Sequence, residues 1–365
     1  MKETRDIIRA FERAKRHEET CILASVVRVR GSTYRRPGAR ALFMAGGEII
    51  GLIGGGCLET DLLLQAEKVR DTGQPHLIGY DSTSNDDIVW GLGLGCNGRV
   101  DVLLEAVGAE NSGPLDFIAR CLNERIPGLL ATVIQCENPL RLASRYMLET
   151  DGKAWQSANW DTSLDLSVHA DEIAASPKPR VIASDSMEIL VEAIDPPLRL
   201  VVAGAGPDAV PLVAIAASLG WCVEVFDHRE TFARRERFPG ANSVSVTPVA
   251  EIARTARTDR RTAVVIMTHH FLNDRELLQG FLESKVAYCG VLGPKTRLER
   301  LLDSLTHDGC VPQPEPLRKL KGPVGLDLGA ETPEEIALSI VAEIQACFAG
   351  CDGTPLTRKA GPIHV

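Results

Sequence analysis

The chain has 365 residues, 44% apolar and 24% charged, with a net charge of −9, which supports two domains with their own cores and speaks against nonspecific binding to nucleic acid or an anionic membrane. No apolar run reaches the ~18 residues of a membrane span. The ten cysteines form no Cys-x-x-Cys and no zinc-spaced Cys/His clusters, so no metal site is expected, and with no secretory signal over 1–20 the chain reads as cytoplasmic, with reduced thiols.

Residues 3–17 have the charge pattern of an amphipathic helix, and 20–30 are β-branched and strand-like. The loop Gly31-Ser32-Thr33-Tyr34-Arg35-Arg36-Pro37-Gly38 follows, dense in turn formers. Arg35 and Arg36, with Arg40 just beyond, are candidate contacts for a phosphate or carboxylate. Short strands near 41–44 and 48–53 lead into Gly54-Gly55-Gly56-Cys57-Leu58-Glu59 and a helix over about 58–70 that stops at Gly73. Glycine lets a ligand approach the backbone and leaves N–H groups free to point at an anion. Gly54, Gly55 and Gly56 are therefore candidate cofactor-binding positions. Cys57 falls at the helix start, where the dipole favours a thiolate, although Glu59 in the first turn opposes this. Such a thiol can be a nucleophile, a sulfur carrier, a soft metal ligand or a small buried hydrophobe.

A strand near 77–80 and a polar stretch over 81–87 precede a second glycine loop, Gly91-Leu92-Gly93-Leu94-Gly95-Cys96-Asn97-Gly98. A strand over 99–106 comes next. Cys57 and Cys96 are the two candidate catalytic thiols. To about residue 195 the pattern gives one helix, strands near 129–135 and 145–148, and polar connectors.

Asp195-Pro196-Pro197 marks a boundary, because consecutive prolines stiffen the chain and remove ladder donors. Beyond it, strands (198–203, 221–226, 262–267, 286–289) alternate with helices (208–219, 274–282, 295–305, 333–348), the pattern of a parallel sheet covered on both faces. The fold class is α/β: an N-terminal α+β domain over 1–195, then a Rossmann-type, doubly wound parallel-sheet domain over 196–365. Gly204-Ala205-Gly206-Pro207-Asp208-Ala209 fits G-x-G-x-x-A between a strand and a helix, and Asp227 ends the next strand. Gly204, Gly206 and Ala209 are candidates for a diphosphate cradle, and Asp227 for a ribose diol. His269, Gly290 and Gly293 fall at or just beyond the carboxyl ends of later strands, the edge where ligands bind in open α/β sheets. Thr332-Pro333-Glu334-Glu335 reads as a capped helix start.

Taken together, these segments resemble the xanthine dehydrogenase accessory protein family, of the XdhC/CoxI type. Those carrying the resemblance are residues 31–38, 54–59 and 93–98, Val202–Asp208, Thr268-His269, Tyr288–Gly293 and Gly325–Ala337, in the family's order. The resemblance implies an N-terminal accessory domain and a C-terminal Rossmann domain. It also implies a protein that binds molybdenum cofactor (molybdopterin), promotes or protects its sulfurated form and hands it to a molybdenum hydroxylase of the xanthine dehydrogenase type. That hydroxylase and a cysteine desulfurase-type sulfur donor are the implied partners, and a homodimer the implied assembly. The chain lacks the iron–sulfur cysteine sets and the length of the catalytic subunits, so a cofactor chaperone is expected rather than a xanthine-oxidising enzyme. The alternatives are an NAD(P)-dependent oxidoreductase using the Rossmann site and a structural protein without a ligand.

Overall fold

The computed structural model describes residues 2–31, 33–54, 56, 58–81, 98–161, 178–184, 187–308, 310 and 317–359. Gly55, Cys57 and Cys96 lie outside the described residues. Packing separates two units, Glu3–Pro196 and Pro197–Val365, the latter grouped with Met1–Lys2.

The first unit contains two five-stranded antiparallel sheets. One has the order β3 (Ile49–Gly51), β2 (Arg40–Phe43), β1 (Cys21–Gly31), β5 (Gly98–Val107), β4 (His76–Asp81). The other has the order β8 (Ala154–Gln156), β7 (Arg145–Glu149), β6 (Gly128–Cys136), β10 (Met187–Ile194), β9 (Arg180–Ser184). Helix α1 (Lys2–Arg16) places Ile7, Ala10, Phe11 and Ala14 on one stripe against Cys21, Leu23 and Leu42. Helix α2 (Glu59–Thr72) covers the opposite face through Leu62, Ala66 and Val69. It ends where Gly73 takes the left-handed cap conformation, φ 66°. Helix α3 (Leu115–Glu124) packs Ile118 and Leu122 on Leu130 and Ile194 of the second sheet.

Between the two sheets lies a small apolar cluster of Val27, Leu103, Ile134 and Leu190. Ion pairs flank it. Arg40 Nη2 donates to Glu192 Oε2 at 2.7 Å with both side chains buried, Arg145 pairs with Glu105, and Arg28 reaches Asp101 at 3.0 Å and also Glu188. A bulge in β1 between Val26 and Arg28 and another where β6 pairs with β10 leave Val27 and Ile134 as the extra residues. Arg28 in turn donates to Gln135. The sequence places only polar connectors where β9 and β10 run. The reason is visible in β10: Glu188 and Glu192 interrupt its apolar run, yet both lie in ion pairs with arginines of the facing sheet.

The second unit is a six-stranded, wholly parallel sheet in the order β13 (Ser243–Val246), β12 (Cys222–Asp227), β11 (Arg199–Ala203), β14 (Thr262–Ile266), β15 (Tyr288–Val291), β16 (Leu320–Lys321). Counted within the unit this is 3-2-1-4-5-6, the Rossmann order. One face is covered by α4 (Ala209–Ser218) and α8 (Pro333–Ala349), through Leu212, Val213, Ile340 and Ile344. The other is covered by α5 (Val249–Thr255), α6 (Phe271–Leu282) and α7 (Lys295–His307), through Ile252, Leu278, Phe281 and Leu301. The fold class is thus α/β, with an α+β region first and a doubly wound parallel sheet second. Thr332, Pro333 and Glu335 form the capping box that their spacing predicts. Helix α6 begins three residues before the expected start because His270 caps it, Nδ1 accepting from Asn273 N. Among the described residues no helix is long and apolar enough to cross a membrane.

Candidate functional site

The strand order reverses between β11 and β14, and the crevice beyond their carboxyl ends is where a ligand of such a sheet binds. Two turns meet there, Gly204-Ala205-Gly206 after β11 and Thr268-His269-His270 after β14. Gly204 has φ +120°, and a Cβ on it would stand 2.5 Å from the Met267 carbonyl oxygen. Only glycine lets the first turn lie against the second. Ala209 is fully buried in the core under α4.

The chain's own side chains already occupy this glycine turn. Ala205 N donates to Asp227 Oδ2 at 2.7 Å, and Arg229 binds the same carboxylate through its backbone N–H, Nε and Nη2 at 2.7–2.9 Å. Burial pushes the Asp227 carboxyl up, but the hydrogen bonds from Arg229 and Ala205 outweigh it and hold the group below the usual carboxylate range. The Arg229 guanidinium lies 4.0 Å from the centre of the Phe232 ring, and Arg237 donates to the Ala205 carbonyl at 2.7 Å. Asp227, expected to hold a ribose diol, thus has both oxygens committed to Ala205 and Arg229.

Asp208 lies just before α4. Its Oδ2 is 2.8 Å from His269 Nε2, and its Oδ1 is buried with no hydrogen-bond partner. A Cβ on Gly206 would meet that Oδ1 at 2.4 Å. His269 adopts φ 61°, unusual for a residue with a Cβ, and its ring is largely exposed. The amides at the start of α4 would receive a diphosphate, but a carboxylate stands beside them and opposes a second anion.

Further along the edge, Asp274 Oδ1 accepts from Thr268 Oγ1 at 2.5 Å, and its Oδ2 accepts from Arg297 Nη2 at 2.6 Å. Gly293, with φ +125°, would carry a Cβ 2.7 Å from Arg297 Cδ, so glycine there lets Arg297 fold back onto Asp274. Gly290 lies inside β15, where a Cβ would strike Val324 at 2.4 Å; its place is explained by packing.

In the first unit the triple-glycine turn is also filled from within. Glu59 Oε1 accepts from Ile53 N at 2.9 Å and Gly54 N at 2.8 Å, and Oε2 accepts from Gly56 N at 2.8 Å. Burial raises the Glu59 carboxyl, but the amides of Gly54, Ile53, Glu59 and Gly56 lower it further, and it lies below the usual range. The expectation that Gly54 and Gly56 offer free amides to a ligand is therefore corrected: an internal carboxylate takes them. Arg35 pairs with Glu3 of α1, and Arg36 is half-buried.

Of the expected residues, Gly204, Gly206, Ala209, Asp227 and His269 come together at the switch point, with Gly293 at the adjoining edge. Arg35, Gly54 and Gly56 belong to the other unit. The sequence pattern alone does not mark the internal bonds that Asp208 makes to His269, Arg229 to Asp227, and Arg297 to Asp274. For Asp208 the available signal is an acid directly after Gly-x-Gly-Pro; for Arg229 it is a cation two residues past the strand-end acid.

Comparison with known proteins adds a family. The XdhC Rossmann domain profile matches residues 200–344, and the XdhC and CoxI family profile matches residues 14–81. A probable xanthine dehydrogenase subunit of Bacillus subtilis is 32% identical over 327 residues, 90% of this chain and 93% of that protein. The molybdenum cofactor insertion chaperone PaoD of Escherichia coli is 23% identical over 341 residues, 93% of this chain and 87% of that one. A crystal structure described as a xanthine dehydrogenase, from Bacillus halodurans, superposes with a TM-score of 0.77 at 31% identity, covering 96% of this chain and 98% of that one. The chain belongs to the XdhC and CoxI family.

Proposed function

We propose that this chain is a carrier and maturation factor for molybdenum cofactor. It holds the cofactor as cargo, supports or protects its sulfurated form, and delivers it to a molybdenum hydroxylase of the xanthine dehydrogenase type. The observation that carries this reading is likeness along nearly the whole chain both to a chaperone named for inserting this cofactor and to a protein named for xanthine dehydrogenase. The triple-glycine turn supports it. Glu59 binds the amides of Ile53, Gly54 and Gly56, close in sequence to Cys57. Cys57 is the thiol proposed to meet the cargo, and Cys96 the second. A cysteine desulfurase-type sulfur donor, a homodimer and a cytoplasmic location belong to the same reading.

Because Glu59 takes the Gly54 and Gly56 amides, the cofactor's phosphate draws its donors from elsewhere. The alternative of an NAD(P)-dependent oxidoreductase has the sheet order and the glycine fingerprint in its favour. Against it stand the carboxylate of Asp208 beside the cradle and the commitment of Asp227 to Arg229. The test is protein expressed with added molybdate, assayed for molybdenum by mass spectrometry and for released pterin by fluorescence. Cys57→Ala is expected to lose most of the bound cofactor and of client activation at an unchanged melting temperature. Client activation equal to that of the unmodified protein rejects the assignment of Cys57.

A further inference from the structure

The amino edge of the parallel sheet, opposite the crevice, gathers exposed cations. Arg199 N, at the start of β11, donates to the Arg261 carbonyl at 2.9 Å, and the Arg199 guanidinium donates to the Arg257 carbonyl. Ala287 N donates to the Thr262 carbonyl at 3.0 Å, and Lys319 Nζ to the Ser284 carbonyl at 2.7 Å. Residues 254–261, Lys285 and Arg318 therefore share this edge. Across 249–261, 283–287 and 317–319 there are seven Lys and Arg against three acids, in a chain whose acids exceed its bases 49 to 40. Arg254 is 80% exposed, with only a 3.9 Å contact to Glu251. Arg257, Arg260, Lys285 and Arg318 are exposed and make no side-chain hydrogen bond or ion pair among the described residues. Of the acids at this edge, Glu224 pairs with Arg199 at 3.2 Å, and Asp259 Oδ1 accepts from Arg261 N and Thr262 Oγ1, both at 2.8 Å. Glu251 and Glu283 are exposed.

A helix's carboxyl end favours cations, but only within its last turn. That accounts for Arg254, in the last turn of α5. It does not account for Arg257, Arg260, Lys285 or Arg318, which lie outside any such turn. Asp259 N also donates to Thr262 Oγ1 at 3.0 Å, so a bonded turn presents Arg257 and Arg260, and less ordering is left for a partner to impose. Arg260 precedes β14, Lys285 precedes β15 and Arg318 precedes β16, and adjacent strands lie about 5 Å apart. One small anion does not reach along such a row. An extended acidic segment does, because its same-side carboxylates recur about every 7 Å. A nucleic acid is disfavoured, since its charge continues at one per about 1.7 Å past the patch and over a chain of net charge −9. We propose that the amino edge of this sheet docks an acidic segment of a partner protein, held by Arg257, Arg260, Lys285 and Arg318.

The docking edge stands independently of the cargo assignment. Fluorescence anisotropy of the full chain with a short fluorescein-labelled peptide of Glu-Ala repeats tests it, with labelled duplex DNA as the competing polyanion. The peptide should bind saturably at low ionic strength and be released as salt rises. Arg257→Glu combined with Arg260→Glu should weaken peptide binding at least about tenfold at an unchanged melting temperature. Lys285→Glu alone, reached across the β14–β15 pairing, should weaken it several-fold. Arg9→Glu combined with Lys68→Glu, at exposed positions of the first unit, changes the net charge equally and should weaken binding by less than about twofold. Absence of saturable peptide binding overturns the proposal. So do equal losses from the two double reversals, or tighter binding of the DNA than of the peptide.

Discussion

At the first glycine turn one carboxylate takes the backbone amides of Ile53, Gly54 and Gly56, whereas at 204–206 the work is divided and left incomplete. Glu59 uses both oxygens on Ile53, Gly54 and Gly56. At the second turn Asp227 takes one amide, Arg237 takes one carbonyl, and Asp208 leans on His269 with its other oxygen unpaired. The first turn is closed by its own acid. The second keeps an unsatisfied anion, a strained histidine and a helix start within a few ångströms. Glycine-rich sequence is common to both, and what separates an internal staple from an open crevice is how many amides the nearest carboxylate can reach.

Glu59→Ala should break the comparison most severely. It leaves three amides without their charged acceptor and should destabilise the first unit by about 3 kcal/mol, measured by urea unfolding. The gap should also depend on pH. The folded Glu59 carboxyl lies below its unfolded value, so its contribution is fully present above the ordinary carboxylate range. It is lost as pH falls through the lower folded value. The difference between parent and variant therefore narrows in acid, and a gap that stays constant with pH would contradict the carboxylate's role.

Gly204→Ala ranks next. It combines a positive φ with a Cβ 2.5 Å from a backbone oxygen that cannot swing away, and should cost about 2 kcal/mol in the second unit. Gly206→Ala should be milder, about 1 kcal/mol, because the obstructing atom belongs to the mobile end of Asp208. It should still disturb the imidazole, seen as a shift of the His269 ring signals by NMR. Asp208→Asn should change stability least, by under about 0.5 kcal/mol. It removes the negative charge beside the α4 amides, and ADP should bind more tightly to the variant in calorimetry. Equal ADP affinity would mean that Asp208 does not guard the cradle.

The second unit is the more legible in the sequence. Leu198–Ala203 is apolar except for Arg199, the glycine fingerprint follows at once, and Asp227 closes the next strand at the expected distance, because a parallel sheet buried on both faces writes itself as apolar runs. The first unit hides its second sheet. β10 carries two glutamates, and their arginine partners come from β1 and β2, more than a hundred residues earlier; no local pattern encodes that pairing. At the glycine turns the sequence supplies the correct places but not the occupancy. Glu59 is visible as an acid that opposes a thiolate, but that it curls back onto Gly54 and Gly56 depends on tertiary geometry. His269 is marked by its position at a strand end, whereas its bond to Asp208 spans two turns that meet only across the sheet.

The paired bulges of the first unit have a further consequence. An ordinary strand shows a neighbouring layer every second residue, so a greasy contact and a charged one must stand two positions apart. With Val27 extra in β1, consecutive residues serve the same boundary: Val27 enters the apolar cluster and Arg28 reaches Gln135 and Glu188. On the facing side Ile134 and Gln135 do likewise. Each irregularity compresses adhesion and recognition into adjacent side chains, and the two match like the tooth and notch of a key. Sliding either sheet by one residue would put Arg28 against Ile134 in one direction or Val27 against Gln135 in the other, so the match between the two sheets is favoured by two residues left out of the strand pairing.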